Sequence, residues 1–194
     1  MVTIRRFAII TIAILLISWL APALADGQIK SHIQKTKPVK SKTAWRYTNK
    51  KDEMTGEIIS GASTMSTNMI HLNFPYEGGT IGFFSLRKHP RDGEDVFFGI
   101  AKGQLICSGN EGCTVILRFD DNPPVEYHAQ PPSDYSNTVL IISEYQEILE
   151  RLRTSKHLII EAEFYQAGRQ HFKFNTNGLQ WQTSAEATPN GKSE

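Results

Sequence analysis

The sequence predicts a mainly β domain, an antiparallel β-sandwich or open barrel, with one amphipathic helix. Short segments rich in Ile, Val and Phe recur along residues 45–182, several with alternating apolar and polar residues. Clusters of Gly, Pro, Asn and Asp separate them. One segment, about 144–155, has helical spacing instead. Strands at short intervals with turn signals between them are typical of antiparallel sandwiches and barrels.

The strands are predicted from alternation or from a high content of β-branched and aromatic residues. In chain order they are 45–48, 69–74, 80–86, 96–101, 104–106, 113–119, 125–129, 138–142, 158–165 and 170–174. A polar turn at 89–93 and breaks at 120–124 and 131–132 separate several of them, and Leu179 and Trp181 end the pattern.

Two cysteines, Cys107 and Cys113, flank five turn-forming residues. Strand-like residues lie on both sides, so the pattern predicts a β-hairpin with one cysteine on each arm. In an oxidising compartment the pair is expected to form a disulfide, which in so short a loop stabilises by about 2 kcal/mol. The spacing is not that of a redox motif, and further metal ligands are not close in sequence.

The helix is predicted from its apolar face and its termini. Ser143 is a candidate N-cap, and Gln146, three residues on, would complete a capping box. Acidic residues lie in the first turn and basic residues at the other end, which suits the helix dipole. The apolar face, which is expected to pack on the sheet, comprises Tyr145, Ile148, Leu149 and Leu152.

The first 25 residues predict export. Arg5 and Arg6 precede an uncharged, mostly apolar run from Phe7 to Leu20, and small residues before Asp26 form an A-x-A site ending at Ala25. This order is typical of a secretory signal peptide, so the mature chain is expected in the periplasm or outside the cell. The alternative is an inner-membrane anchor formed by residues 7–20, but this run is shorter than the roughly 20 residues that span a bilayer.

Residues 26–44 predict a basic, flexible leader, because they contain five lysines and few large apolar residues. Its two interpretations are a solvated spacer and a weak contact with anionic membrane surfaces. The lysines are Lys30, Lys35, Lys37, Lys40 and Lys42. Residues 183–194 are polar and are predicted to form a disordered tail.

The charge balance disfavours a nucleic-acid-binding protein. The chain has a net charge of +1, and removal of residues 1–25, which carry Arg5 and Arg6 and no acidic residue, changes it to −1. Such proteins need a clustered basic face. The sequence contains no dinucleotide or phosphate-binding fingerprint and no paired histidines at metal spacing, so no cofactor is predicted. His71 and His171 are predicted at exposed positions on strands.

Two acidic pairs are candidates for a binding or catalytic site. Asp120 and Asp121 follow a predicted strand, where they would serve calcium binding or acid–base chemistry. The Asn and Pro residues that follow favour a plain turn instead. Asp52 and Glu53 follow the first strand, where they are interpreted either as part of a polar loop or as contributors to a site.

Two phenylalanine doublets, Phe83-Phe84 and Phe97-Phe98, lie on predicted strands. Neighbouring residues on a strand face opposite sides, so one member of each doublet points away from the core of its sheet. Either a helix or loop covers it, or it contributes to an aromatic patch that binds a protein or glycan. Phe84 and Phe98 are taken as the candidate binding residues.

Several short motifs follow one another along most of residues 45–182. They are Trp45-Arg46-Tyr47, Asp52-Glu53-Met54-Thr55, Ile106-Cys107, Cys113-Thr114-Val115, Arg118-Phe119-Asp120-Asp121, Leu158-Ile159-Ile160-Glu161, Phe172-Lys173-Phe174 and Gly178-Leu179-Gln180-Trp181. Their order resembles a family of exported bacterial proteins. More distantly it is similar to type VI secretion-associated envelope proteins of the VasI/TagO type. The resemblance implies a periplasmic β domain without known catalysis.

Three functional hypotheses follow. The first is a non-enzymatic periplasmic domain that binds another envelope component, a protein, through one face of its aromatic strands and the loops around Asp52 and Asp120. The second is an inhibitor or immunity protein that blocks a periplasmic hydrolase with the loop 109–112. The third is a small cell-wall hydrolase that uses Asp120, Asp121 and a histidine.

Overall fold

The computed structural model describes residues 43–182. The predicted signal peptide 1–25, the tail 183–194 and the leader up to residue 42 lie outside the described residues. Within the described part, no helix is long and apolar enough to cross a membrane.

The domain is mainly β with one helix, as the sequence predicts. Its strands are β1 (Arg46–Lys51), β2 (Ile58–Met65), β3 (Ile70–Leu72), β4 (Gly78–Thr80), β5 (Gly82–His89), β6 (Gly93–Ile100), β7 (Cys113–Phe119), β8 (Val125–Gln130), β9 (Val139–Ile142), β10 (His157–Phe164) and β11 (Gly168–Asn175), and its helix is α1 (Tyr145–Thr154). Nine strands form one sheet in the order β1-β2-β5-β6-β9-β8-β7-β10-β11, and β3 and β4 form a small second sheet. The pairings are antiparallel throughout both sheets as described.

The large sheet curls over on itself without closing into a barrel. Ser66, just after β2, forms an isolated bridge to Phe174 of β11, but no continuous ladder joins these strands. The curl brings phenylalanines from opposite halves of the sheet together. Phe98 of β6 lies 5.5 Å from Phe172 of β11 between ring centroids, and Phe84 of β5 lies 6.0 Å from Phe174. This aromatic cluster forms the centre of the core.

The helix packs on the core through the predicted face. Tyr145, Ile148, Leu149 and Leu152 are all buried. The predicted capping box is wrong, because the N-cap is Glu144, in a left-handed conformation, and no side chain caps the helix. The backbone N–H of Ser143 donates to the carbonyl of His128, so Ser143 still continues the pairing of β9 with β8. The helix therefore begins one residue later than the sequence suggests.

One prediction about a strand is wrong, and one strand was not predicted. The segment 104–106 does not pair with β7 as the second arm of a hairpin. Instead Leu105 bridges Phe164, because β7 already has β8 and β10 as neighbours. Strand β2 was not predicted, since its middle residues, Gly61 to Thr64, are small and carry little apolar signal.

Candidate functional site

The outer face of β1, β2, β5, β6 and β9 forms a groove that the helix does not cover. Along these strands the side chains alternate between the core and this face. The register places Phe83 opposite Gly99 and Ser85 opposite Phe97, so both phenylalanines share the outer face. The groove has a volume of about 510 Å³. We call it the outer groove.

Small residues form the floor of the outer groove. Gly61, Ser63 and Ser85 occupy neighbouring positions on β2 and β5. A Cβ atom at Gly61 would lie 2.7 Å from Oγ1 of Thr48, a distance shorter than real side chains show. Glycine at this position therefore lets β1 and its Thr48 side chain approach closely along one wall.

The opposite wall combines aromatic rings with a fixed cation. Phe83 and Phe97 are half-buried, and the guanidinium of Arg87 lies over the ring of Phe97, with Cζ 4.8 Å from the ring centroid. Nη2 of Arg87 is 2.6 Å from Oδ2 of Asp95. The exposed cation Lys50 lines the other wall, and the exposed Arg46 lies on the same face of β1, four residues away. The groove thus has an apolar centre and a largely basic rim.

The prediction of Phe84 and Phe98 as binding residues is wrong, because both side chains lie on the core face of the sheet. Both are fully buried in the aromatic core, so neither can contact a partner. Their neighbours Phe83 and Phe97 occupy the outer face instead. Alternation correctly predicts that the two members of each doublet face opposite sides of the sheet. The sequence alone does not indicate which member faces the core.

The other half of the outer face, on β7, β10 and β11, is charged. Glu161 accepts hydrogen bonds from two side chains of β11: Nε2 of His171 is 2.6 Å from its Oε2, and Nη1 of Arg169 is 2.9 Å from its Oε1. Partial burial raises the pKa of Glu161, but these two partners together hold it below its usual range. His71 and His171 are exposed on strands, as predicted.

Asp52 is a buried structural anchor. Its Oδ1 accepts the backbone N–H groups of Met54 and Thr55 at 2.8 and 2.9 Å, and its Oδ2 lies 3.2 Å from Nη2 of Arg91. These backbone hydrogen bonds, that from Thr55 first, lower the pKa of the carboxyl group. Nε2 of His89 lies 3.7 Å from the same Oδ2. Asp52 thus fastens the β1–β2 turn to the β5–β6 turn, while Glu53 is exposed.

Asp120 and Asp121 differ in their surroundings. Oδ1 of Asp120 accepts the backbone N–H groups of Lys156 and His157 at 3.1 and 2.8 Å. The residue has a φ of 48°, a left-handed conformation that Asp tolerates in turns. The side chain of Asp121 is fully exposed and lies 3.6 Å from Arg118. The arrangement is that of a turn in which Asp120 is the structural member.

The disulfide between Cys107 and Cys113 is present. Its loop lies against the domain: a Cβ atom at Gly112 would be 2.4 Å from Cε1 of His128, and one at Gly109 would be 3.1 Å from the ring of Tyr135. The two glycines therefore let the loop pack closely on β8 and on the segment before β9. Within residues 43–182, no three His, Cys, Asp or Glu side chains are grouped so as to hold a metal ion.

Comparison with solved structures shows a weak structural likeness. No family model matches the chain, and no curated protein matches it. The solved structures include invasion associated protein B from Bartonella henselae, which is similar with a TM-score of 0.43 and 13% sequence identity, over 70% of this chain and 86% of that one. No function follows from a likeness at this level.

Proposed function

We propose that this protein is exported and acts in the cell envelope as a non-enzymatic binding domain, with the outer groove as its contact surface for a partner protein. The observation that carries the proposal is the groove itself. Phe83 and Phe97 lie half-buried over a floor of small residues, on a sheet face that no described helix covers. Exposed aromatic patches of this kind are typical of interaction sites.

Export is supported by two independent features. The first is the signal-peptide pattern that ends at Ala25. The second is the disulfide between Cys107 and Cys113, since such bonds persist in oxidising compartments such as the periplasm. A mature chain that begins at Asp26 and has no free thiol is the expected product in the periplasmic fraction, and intact mass spectrometry measures both properties.

The chemistry of the groove defines the partner surface. Its centre would accept aliphatic or aromatic side chains, since Phe83, Phe97, Ile59 and Val139 line it. Arg46 and Lys50 at the rim favour a partner with carboxylates around an apolar segment. Asp120 receives no catalytic role in this proposal, because its carboxylate already accepts two backbone amides.

Site-specific crosslinking tests the proposal. A photoreactive phenylalanine analogue replaces Phe83 in the full-length chain, and the matched control places it at Ile116, on the charged half of the same outer face. We expect the probe at Phe83 to yield one discrete covalent complex in the periplasm, and the probe at Ile116 to yield none. The same products from both positions would overturn the assignment of the outer groove.

The partner identified by crosslinking then permits a quantitative test. We expect the substitution Ser63→Glu, in the groove floor, to weaken the affinity for the purified partner by about tenfold or more. The reason is that it places a desolvated carboxylate against the partner's apolar segment. The substitution Thr114→Glu on the charged half is the matched control and should leave the affinity unchanged. If the partner is a lytic enzyme, its activity in the complex decides between simple binding and inhibition.

A further inference from the structure

A second groove lies beside the disulfide, about 460 Å³ in volume. It is bounded by the segment 104–109, by the loop that leads into β9, and by Tyr165 at the end of β10. We call it the tyrosine groove. Its volume falls within the roughly 300–1,000 Å³ of small-molecule sites. Strand β9 contributes to both grooves, through Val139 in the outer groove and Leu140 in the tyrosine groove. The two grooves have no lining residue in common.

Three large apolar side chains are displayed at the tyrosine groove. Tyr135 is 75% exposed, Ile106 is 45% exposed and Tyr165 is 43% exposed. Side chains that stay exposed to water do not contribute the free energy of burial to folding. Two aromatic rings at this groove are exposed in this way. This display is the first indication of a ligand that stacks on ring faces.

The position of Tyr135 is fixed by its turn. Its backbone N–H donates to the carbonyl of Pro132 at 2.8 Å, and Oδ1 of Asp134 accepts the backbone N–H of Ser136 at 3.0 Å. Tyr135 has a φ of 54°, which is uncommon for a bulky residue, and the absence of a side chain at Gly109 lets the ring lie against the disulfide loop. A ring held in this way loses little conformational entropy on binding.

The polar groups in the tyrosine groove are uncharged. None of the described residues that line it is Asp, Glu, Lys, Arg or His. Gln104 accepts a hydrogen bond from the hydroxyl of Tyr76 at 3.1 Å, and Asn137 is exposed with a side-chain amide that bonds to no other described residue. Amide and hydroxyl groups thus lie beside exposed tyrosine rings here, in a chain of which 21% of the residues are charged.

We propose that the tyrosine groove binds a neutral pyranose oligosaccharide. A pyranose presents C–H groups on its faces, which stack on aromatic rings, and hydroxyl groups at its edge, which exchange hydrogen bonds with amides. Tyr135 and Tyr165 supply the rings, and Asn137 and Gln104 supply the amides. A phosphorylated or carboxylated ligand fits poorly, because the residues of 43–182 that line the groove include no cation to pair with it. This inference does not rest on the outer groove.

Titration of the oxidised mature protein with two trisaccharides tests the inference. One probe is the trimer of N-acetylglucosamine, which stands for cell-wall glycans, and the other is maltotriose, which stands for unacetylated glucans. Calorimetry measures the affinity, and amide chemical shifts locate the site. We expect at least one trisaccharide to bind, with shifts at residues 104–109 and 135–137; the probe that binds more tightly identifies the source.

Two variants and a control make the result specific. Tyr135→Gly removes the ring and suits the positive φ of this position, so the domain is expected to stay folded. Tyr165→Ala removes the second ring. Each of these two variants should weaken sugar binding by about tenfold. Phe97→Ala, in the outer groove, is the control and should leave sugar binding unchanged.

Four outcomes would overturn the inference. Three concern the sugars: failure of both trisaccharides to bind at millimolar concentration, binding that persists in both tyrosine variants, and shifts that map to the outer groove. Concentration-dependent self-association through Tyr135 would likewise overturn it, because it would show a protein surface where we infer a sugar site. None of these outcomes depends on whether the outer groove binds a partner protein.

Discussion

The guanidinium of Arg87 lies over the ring of Phe97, with its Cζ atom 4.8 Å from the ring centroid. Asp95 on the same strand as Phe97 holds Arg87 in place through a 2.6 Å contact. The cation therefore covers one face of a phenylalanine that would otherwise be open to water in the outer groove. The contact links β5 to β6 on the side of the sheet away from the core.

A double-mutant cycle measures this contact. Arg87→Met removes the charge but retains an apolar stem, and Phe97→Leu removes the ring but retains apolar bulk. We expect a coupling free energy of about 0.5–1 kcal/mol from urea unfolding of the four proteins. Additive effects of the two substitutions would show that the cation and the ring do not stabilise one another.

A side chain at Gly82 is expected to destabilise the domain. A Cβ atom there would lie 2.8 Å from Cδ1 of Phe172 and 3.1 Å from Cζ of Phe174, within the aromatic core. Gly82→Ala should therefore lower the free energy of unfolding by about 1–3 kcal/mol. Gly99→Ala is the matched control, because a Cβ atom there meets only ordinary contacts at 3.6 Å. Chemical denaturation that ranks the two variants in the opposite order would contradict the packing described.

Asp52 gives the stability of the domain a dependence on acid pH. Its pKa is lowered in the folded state, first by the hydrogen bond from the Thr55 backbone and then by that from Met54. The stability that the carboxylate contributes is thus present above the pKa of the unfolded chain and is lost as the pH falls through the lower folded value. The loss is expected below about pH 4.

The variant Asp52→Asn isolates that contribution. It should be less stable than the wild type at neutral pH, and the difference should shrink steadily in urea unfolding experiments carried out at decreasing pH. Glu53→Gln, one residue on at an exposed position, is the control and should follow the wild-type curve. A difference that stays constant with pH would exclude Asp52 as the titrating group.

Asp120 and Asp121 are expected to differ in their effect on stability. Asp120→Ala leaves the N–H groups of Lys156 and His157 without their acceptor, at a cost of about 1–2 kcal/mol. Asp121→Ala removes only an exposed side chain and should change the free energy of unfolding by less than about 0.5 kcal/mol. Thermal unfolding of both variants tests the structural role given to Asp120, and equal effects would refute it.

The disulfide is expected to stabilise the domain modestly because it closes a loop of few residues. Reduction of Cys107–Cys113 should lower the free energy of unfolding by about 2 kcal/mol. Urea unfolding with and without a thiol reductant measures the effect. The double variant Cys107→Ser/Cys113→Ser supplies the control, since the reductant should not alter its stability; an unchanged wild-type midpoint would contradict the prediction.

The sequence predicted those elements whose residues carry a strong local pattern. Strand β7 and strand β10 have consecutive β-branched or alternating apolar residues, and α1 has four apolar residues at helical spacing. Strand β2 was not predicted, because Gly61, Ala62 and Ser63 are neither β-branched nor part of an apolar alternation. Its pairing with β1 and β5 imposes the extended conformation. Tertiary context there overrides a weak local preference.

The candidate sites depended more strongly on tertiary context. Alternation in Phe97-Phe98 indicates two opposite faces, but only the curl that brings Phe98 against Phe172 decides which face is the core. The tyrosine groove could not be predicted either, because it joins Ile106, Tyr135 and Tyr165 from three separate parts of the chain. The exposed turn containing Tyr135 carried the one local signal, an aromatic residue among Pro, Ser and Asp.

The strand order has a consequence for how quickly the domain folds. The β5–β6 and β10–β11 ladders join strands that are adjacent in sequence, whereas β6 must find β9 and β7 must find β10 across long intervening segments. Bringing such distant segments together costs chain entropy before any contact compensates for it. We therefore expect refolding in milliseconds to seconds, slower than for a helical domain of similar size, with union of the two halves through β9 as the late event.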